Sequence, residues 1–197
     1  ELRDLHGLGC FCRMPRRQAR NLVDTRWVIR WKLVDGKKLI KVRLTMRGFK
    51  DTCQSMETFA GTATRWAQRL VNSTTVNEDD WVLFSLDVSK AFAKGMTFQE
   101  LAELTGEPLR TVQFELAAKD VPLLRKIPGF ETFDPQTEVL SMIKPIYGLK
   151  DAPRAWRKKL HKILVAWGLK DTIADNQVYL AHHEGGRSER RGPTEPE

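Results

Sequence analysis

Cysteine is scarce in this chain, three residues in 197, and their arrangement excludes most of what cysteine does. Cys10, Cys12 and Cys53 are odd in number, so they do not make a complete disulfide framework. The Cys10 and Cys12 pair has no partners at zinc-ligand spacing, and His182 and His183 lie far downstream, which leaves free thiols in a reducing compartment. Long apolar runs are also missing. No uninterrupted stretch approaches the ~20 residues that a membrane span requires, and the first 20 residues lack the apolar core of a signal peptide. The expectation is a protein without membrane contact that stays inside the cell, in cytoplasm or nucleus. No internal repeat is evident.

Positive charge is plentiful, and it is unevenly spread. The net charge is +8. Residues 1–66 hold 15 Lys and Arg against 6 Asp and Glu, residues 67–140 hold 7 against 12, and residues 141–197 hold 11 against 7. Two basic regions flanking an acidic middle suit a polyanion that crosses it, although a solvated basic surface has the same composition.

The local patterns predict several elements. Thr25–Val34 and Leu39–Arg47 alternate around Asp35-Gly36-Lys37-Lys38, a strong hairpin signal. On the second strand, period-two geometry sends Ile40, Val42, Leu44 and Met46 to one face and Lys41, Arg43, Thr45 and Arg47 to the other. An apolar face is expected to pack and a cationic face to stay free. A helix over Arg65–Val76 is expected beside the sheet. Trp81–Val88, nearly continuously apolar, reads as a central strand ending near Asp87. Thr97 and Glu100 form a capping box for a helix over Thr97–Leu104 that stops at Gly106. Pro153–Trp167 carries an apolar helical stripe closed by Gly168. Residues 108–133 mix a possible helix with acidic surface, and residues 183–197 are too polar and glycine-rich to pack.

Four segments carry chemistry, in this order: Lys41-Val42-Arg43-Leu44-Thr45-Met46-Arg47-Gly48-Phe49; Leu86-Asp87-Val88-Ser89-Lys90-Ala91-Phe92; Ile127-Pro128-Gly129-Phe130; and Tyr147-Gly148-Leu149-Lys150-Asp151-Ala152-Pro153-Arg154-Ala155-Trp156. A carboxylate such as Asp87 at a strand end is a rigid platform for a metal, and equally an ordinary cap of a turn. Together, from about Trp27 to Tyr179, the four segments resemble the reverse transcriptase of copia-type retrotransposons. Four ordered motifs at family-like spacing are far more specific than any one.

The resemblance implies an α+β fold, the fingers and partial palm of a right-hand polymerase, with an antiparallel sheet packed with helices. It implies Mg²⁺ as cofactor, and an RNA or DNA template-primer with deoxynucleoside triphosphates as partners. Asp87 is then the first catalytic carboxylate, with the Val88 carbonyl on the same ion. Lys41 and Arg43, supported by Arg47, grip the β- and γ-phosphates, and Phe92 lies under the incoming sugar. Tyr147, Gly148 and Asp151 fall near the template base and nucleotide. Asp151 stands where the family has Gln, and it also suits the N-cap of the following helix. The family's second carboxylate motif, "YVDD", is absent from this sequence. The expected organisation is a lead-in over residues 1–24, a fingers and partial palm domain over 25–182, and a disordered tail over 183–197. The expected function is a polymerase segment inactive by itself, or a non-catalytic nucleic-acid-binding protein derived from the same element.

Overall fold

A computed structural model of the chain describes residues 1–53 and 56–181. In chain order the elements are α1 (Leu2–Gly7), β1 (Phe11–Pro15), β2 (Leu22–Val34), β3 (Lys37–Met46), α2 (Arg65–Asn77), α3 (Phe98–Thr105), β4 (Gln113–Glu115), α4 (Val121–Leu124), β5 (Glu138–Met142), α5 (Ala152–Ala166), β6 (Lys170–Asp171) and β7 (Tyr179–Leu180). They fall into two units, one of Glu1–Gly61 with Ser85–His161, the other of Thr62–Phe84 with the chain from Lys162 onward. The expected tail over 183–197 lies outside the described residues.

The first unit is built on a five-stranded sheet in the order β1-β5-β4-β2-β3. The β2–β3 hairpin turns on Asp35 and Gly36, both left-handed at φ 49° and 74°, and Val34 pairs directly with Lys37. Such a two-residue turn matches the right-handed twist of its strands. Lys37 and Lys38 therefore belong to β3 rather than to the turn. The remaining pairings are antiparallel except β2 with β4, which run parallel from Leu22 opposite Gln113. The sheet is mixed, which corrects the antiparallel expectation.

Residues 1–24 are no lead-in. They supply α1, β1 and the start of β2, and Leu2, Leu5, Phe11 and Val23 are buried in the same core as Leu44, Phe114 and Leu140. The obscure stretch 108–133 is likewise central. Its Val112, Phe114, Val121 and Leu124 are buried, and Gln113 Oε1 accepts from the backbone amides of Arg20 and Asn21 at 3.0 Å each. Ile127 and Phe130 are buried too, with the Phe130 ring edge-on to His6 at 5.1 Å and near Phe11 at 5.7 Å. That motif is packing that fastens α1.

The Thr97 capping box forms as expected: Thr97 Oγ1 accepts from the Glu100 amide at 3.0 Å and Glu100 Oε2 from the Thr97 amide at 2.8 Å, with Gly106 left-handed beyond the helix. Gly168 closes α5 with φ 84°. Trp81–Val88, by contrast, forms no strand. Every residue of it is exposed, Val82 and Leu86 at 82% and 83%. A strand is made by the partner that takes its backbone hydrogen bonds, and among the described residues none does so.

The second unit holds α2, capped by Thr64 Oγ1 on the Ala67 amide at 3.1 Å, and the short β6–β7 pair. The Thr64 amide also donates to Asp175 Oδ2 at 2.8 Å. An apolar cavity of about 710 Å³ lies between them, lined by Trp66, Leu70, Trp81 and Val178 among others. No residue of α2 is buried.

Candidate functional site

Strand register sorts the hairpin into two chemically distinct faces. Arg30 is opposite Lys41, Val28 opposite Arg43 and Arg26 opposite Thr45, so one face carries Arg26, Arg30, Lys32, Lys37, Lys41 and Arg43. Sequence reasoning found Lys41 and Arg43 of this set and left Lys37 in the turn. The alternation in Thr25–Val34 held the rest: Arg26, Arg30 and Lys32 share one parity and face the β3 cations once the register is fixed. Arg30 and Lys41 are like charges directly opposite, an arrangement that destabilises a sheet unless an anion joins them. On the other face Leu44 and Met46 are buried, but Ile29, Trp31, Ile40 and Val42 are exposed, Trp31 at 71%. The apolar face packs only at its base.

At that base the fourth motif meets the first. The Met46 amide donates to the Tyr147 carbonyl at 2.8 Å, and Gly148 takes φ 94° directly against the end of β3. A Cβ on Gly148 would overlap the Met46 carbonyl oxygen and press on Thr45 Cγ2 at 2.8 Å; a Cβ on Gly48 would overlap the Gly148 carbonyl in turn. Two glycines are required for this contact. It seats Tyr147 under the hairpin, with the Arg43 guanidinium 5.6 Å from the ring centroid and the Phe92 ring 5.7 Å away. Three predicted site residues from distant segments thus converge. Burial pushes the Tyr147 hydroxyl pKa up, and the nearby Glu1 carboxylate adds to this while Arg43 and Lys90 oppose it.

Phe92 is half-buried on a short 3-10 turn, Ala91–Lys94, that follows Lys90. Gly95 ends the turn with almost no room: a Cβ there would come within 3.1 Å of the Phe92 carbonyl oxygen and of the Trp156 amide. Lys41 and Arg43 are exposed. Arg47 is engaged instead: its Nη1 donates to Asp24 Oδ2 at 2.7 Å, its guanidinium lies 5.0 Å from the Phe49 centroid, and Lys50 lies 3.2 Å from the same carboxylate. Burial raises the Asp24 pKa, but Arg47 and Lys50 outweigh it and hold the group below its ordinary value. Unlike Lys41 and Arg43, Arg47 is thus ion-paired within the protein.

Asp151 does not cap α5 with its side chain, which is paired instead beside a small pocket that it lines with Glu107, Arg110 and Arg154. Its Oδ2 accepts from Arg110 Nη1, while Arg110 Nη2 donates to Asp51 Oδ2. The carboxylates of Asp51 and Asp151 are 0% and 8% exposed and the guanidinium 10%, so one cation holds two buried anions. Asp51 Oδ1 is further satisfied by Asn21 Nδ2 at 2.8 Å and the Cys53 amide at 3.0 Å. Nearby Arg154 donates to Glu107 Oε2 at 2.7 Å, to Oε1 at 3.1 Å and to the Glu57 carbonyl at 3.0 Å. The charged residues at the head of α5 hold the polypeptide together. Sequence reading missed Arg110 because nothing local marks its partners, which lie 59 and 41 residues away.

Asp87 and Val88 lie in the exposed stretch before Lys90. No group of three or more His, Cys, Asp or Glu able to hold a metal ion is found among the described residues. Two dications need carboxylates converging from more than one side, so the residues described do not fit a Mg²⁺ pair. The cysteines are free thiols: Cys10 is buried, which raises its pKa to about 11, and Cys12 is exposed. No helix among the described residues is long and apolar enough to cross a membrane.

The retrovirus-related Pol polyprotein from transposon RE2 of Arabidopsis thaliana is 28% identical over 171 residues, covering 85% of this chain and 10% of that protein. The chain is similar to retrotransposon Pol polyproteins. The corresponding polyprotein from transposon RE1 of the same plant is 25% identical over 163 residues, covering 81% of the chain and 10% of its own length. The chain therefore spans about a tenth of the length of the curated Pol relatives it matches. No family model matches it, and no solved structure does so.

Proposed function

We propose that this chain is a reverse transcriptase segment of a copia-type Pol polyprotein, fingers with the first part of the palm, which grips nucleoside triphosphate and template-primer. The observation that carries the reading is the convergence of Arg43, Tyr147 and Phe92, with Lys41 free on the same strand face as Arg43. A guanidinium can clamp phosphate oxygens bidentately, an ammonium adds a point charge, and the paired rings offer an apolar wall for a sugar or base. The hairpin face extends this site along a track of six cations, and the cross-strand repulsion of Arg30 and Lys41 is relieved by a polyanion. DNA synthesis with Mg²⁺ belongs to the reading of the full polymerase. For the chain by itself we expect binding without synthesis.

Binding of a fluorescent template-primer across a salt series tests this. The slope of log affinity against log salt should be about −0.7 to −0.9 per phosphate neutralised, and shallower in the Lys41→Ala, Arg43→Ala double variant. Equal slopes would remove the hairpin from the interface. A second reading, a non-catalytic nucleic-acid binder, is favoured by the exposed, uncovered surroundings of Asp87. Under either reading the chain by itself should give no primer extension, and product lost in Asp87→Asn would contradict both.

A further inference from the structure

We propose that Lys90 is an additional phosphate-binding residue of the Arg43, Tyr147 and Phe92 cluster, and that Asp4 of α1 is an internal counter-ion which an incoming phosphate displaces. This rests on the nucleotide reading of that cluster. Lys90 lies two residues before Phe92 and adopts φ 55° and ψ 38°, the left-handed region that residues with long side chains seldom occupy. Backbone held in such a conformation by its surroundings is a mark of functional sites. The conformation starts the turn that presents Phe92. The Lys90 ammonium is ion-paired with Asp4 Oδ2, 86 residues away in sequence.

That pair is open to exchange. The Lys90 side chain is 34% exposed and that of Asp4 51%, and ion pairs in such settings are held weakly. A carboxylate oxygen on an ammonium is the nearest protein equivalent of a phosphate oxygen. Electrostatics agrees with the geometry: at the Tyr147 hydroxyl burial raises the pKa, and Arg43 and Lys90 both act against it, so the charge of each is felt at one hydroxyl. Two cations and two aromatic rings make a fuller nucleotide grip than Arg43 alone, with α1 occupying one of the cations in the free protein. The consequence is a built-in competition between α1 and the triphosphate.

Titration calorimetry of the full chain with tripolyphosphate, and separately with a deoxynucleoside triphosphate, tests it. Asp4→Asn should tighten both by about two- to five-fold. Lys90→Gln should weaken both, Lys90→Arg should retain binding, and Asp4→Asn should have no effect once Lys90 is Gln. Unchanged affinity in Asp4→Asn, or the same gain with Lys90→Gln present, overturns the counter-ion role, provided circular dichroism shows α1 and the sheet intact. Should dichroism show that Asp4→Asn unfolds α1, Lys90→Gln and Lys90→Arg decide alone: equal affinity in the two overturns the role of Lys90. Arg43→Gln is the separate control. If it binds as the wild type does, or if no variant binds either ligand, the nucleotide reading itself fails and Lys90 with it.

Discussion

Replacing Gly148 with Ala should be among the most damaging single-methyl changes available in this protein, and its cost can be divided. The residue has φ 94°, so a Cβ carries the left-handed penalty of about 1–2 kcal/mol. It also collides with the Met46 carbonyl and stands 2.8 Å from Thr45 Cγ2, which only separation of β3 from Tyr147 relieves. Separation breaks the Met46 to Tyr147 hydrogen bond and leaves a buried amide without a partner, about 1–3 kcal/mol more. The sum is about 2–5 kcal/mol. Gly129 supplies the control: its φ is 86°, and a Cβ there meets nothing within 4 Å, so Gly129→Ala measures the backbone penalty alone. Gly48→Ala, where φ is not positive but the Gly148 carbonyl is overlapped, measures the collision alone. Urea unfolding followed by tryptophan fluorescence gives all three. A Gly148→Ala cost no larger than that of Gly129→Ala would refute the close seating of Tyr147 beneath the hairpin.

Three further outcomes rest on other contacts of the fold. Arg110→Met leaves the Asp51 and Asp151 carboxylates buried without a cation and should cost about 3–5 kcal/mol, while Asp151→Asn should cost far less because Asp51 keeps Arg110; comparable losses in urea unfolding would contradict the shared pairing. Glu107 is held below its ordinary 4.5 by hydrogen bonds from Arg154, and Glu138 by those from Arg13, so their stabilisation is complete above that value and lost as pH falls through the depressed ones; acid titration should show Glu107→Gln losing less stability than the wild type over that interval. Maleimide labelling should modify exposed Cys12 and spare Cys10, whose thiol is buried and raised to about 11; labelling of Cys10 in folded protein would show that α1 does not cover it.

What could be read from the sequence was what is decided locally. The Asp35-Gly36 turn, the alternation of Lys41 and Val42, the Thr97 capping box and the Gly168 stop each depend on a few adjacent residues, and each forms. The convergence of Arg43, Tyr147 and Phe92 was available only through the resemblance, since no periodicity links residues 104 positions apart. What failed depended on partners distant in sequence. β4 is three residues long, too short to show alternation, yet it is the strand on which β2 and β5 both pair. Asp151 looked like a cap because Asp caps helices, and Arg110, which claims its carboxylate, carries no local signal.

Trp81–Val88 failed for the opposite reason: its composition is that of a buried strand, and propensity is satisfied only where a sheet accepts it. The site is consequently assembled to unequal degrees. Arg43 and Tyr147 are fixed by a hairpin pairing and two interlocked glycines, and Phe92 by a turn closed against α5 through Gly95. Asp87 is fixed by little beyond its covalent distance from Lys90. On the proposed reading, gripping the phosphate and supplying the carboxylate are then separable, and they should respond differently to perturbation. A change that loosens Gly148 should abolish triphosphate binding, whereas Asp87→Asn, on an exposed stretch outside the cluster, should leave it intact; calorimetric loss of binding in Asp87→Asn would show that the carboxylate is already part of the grip.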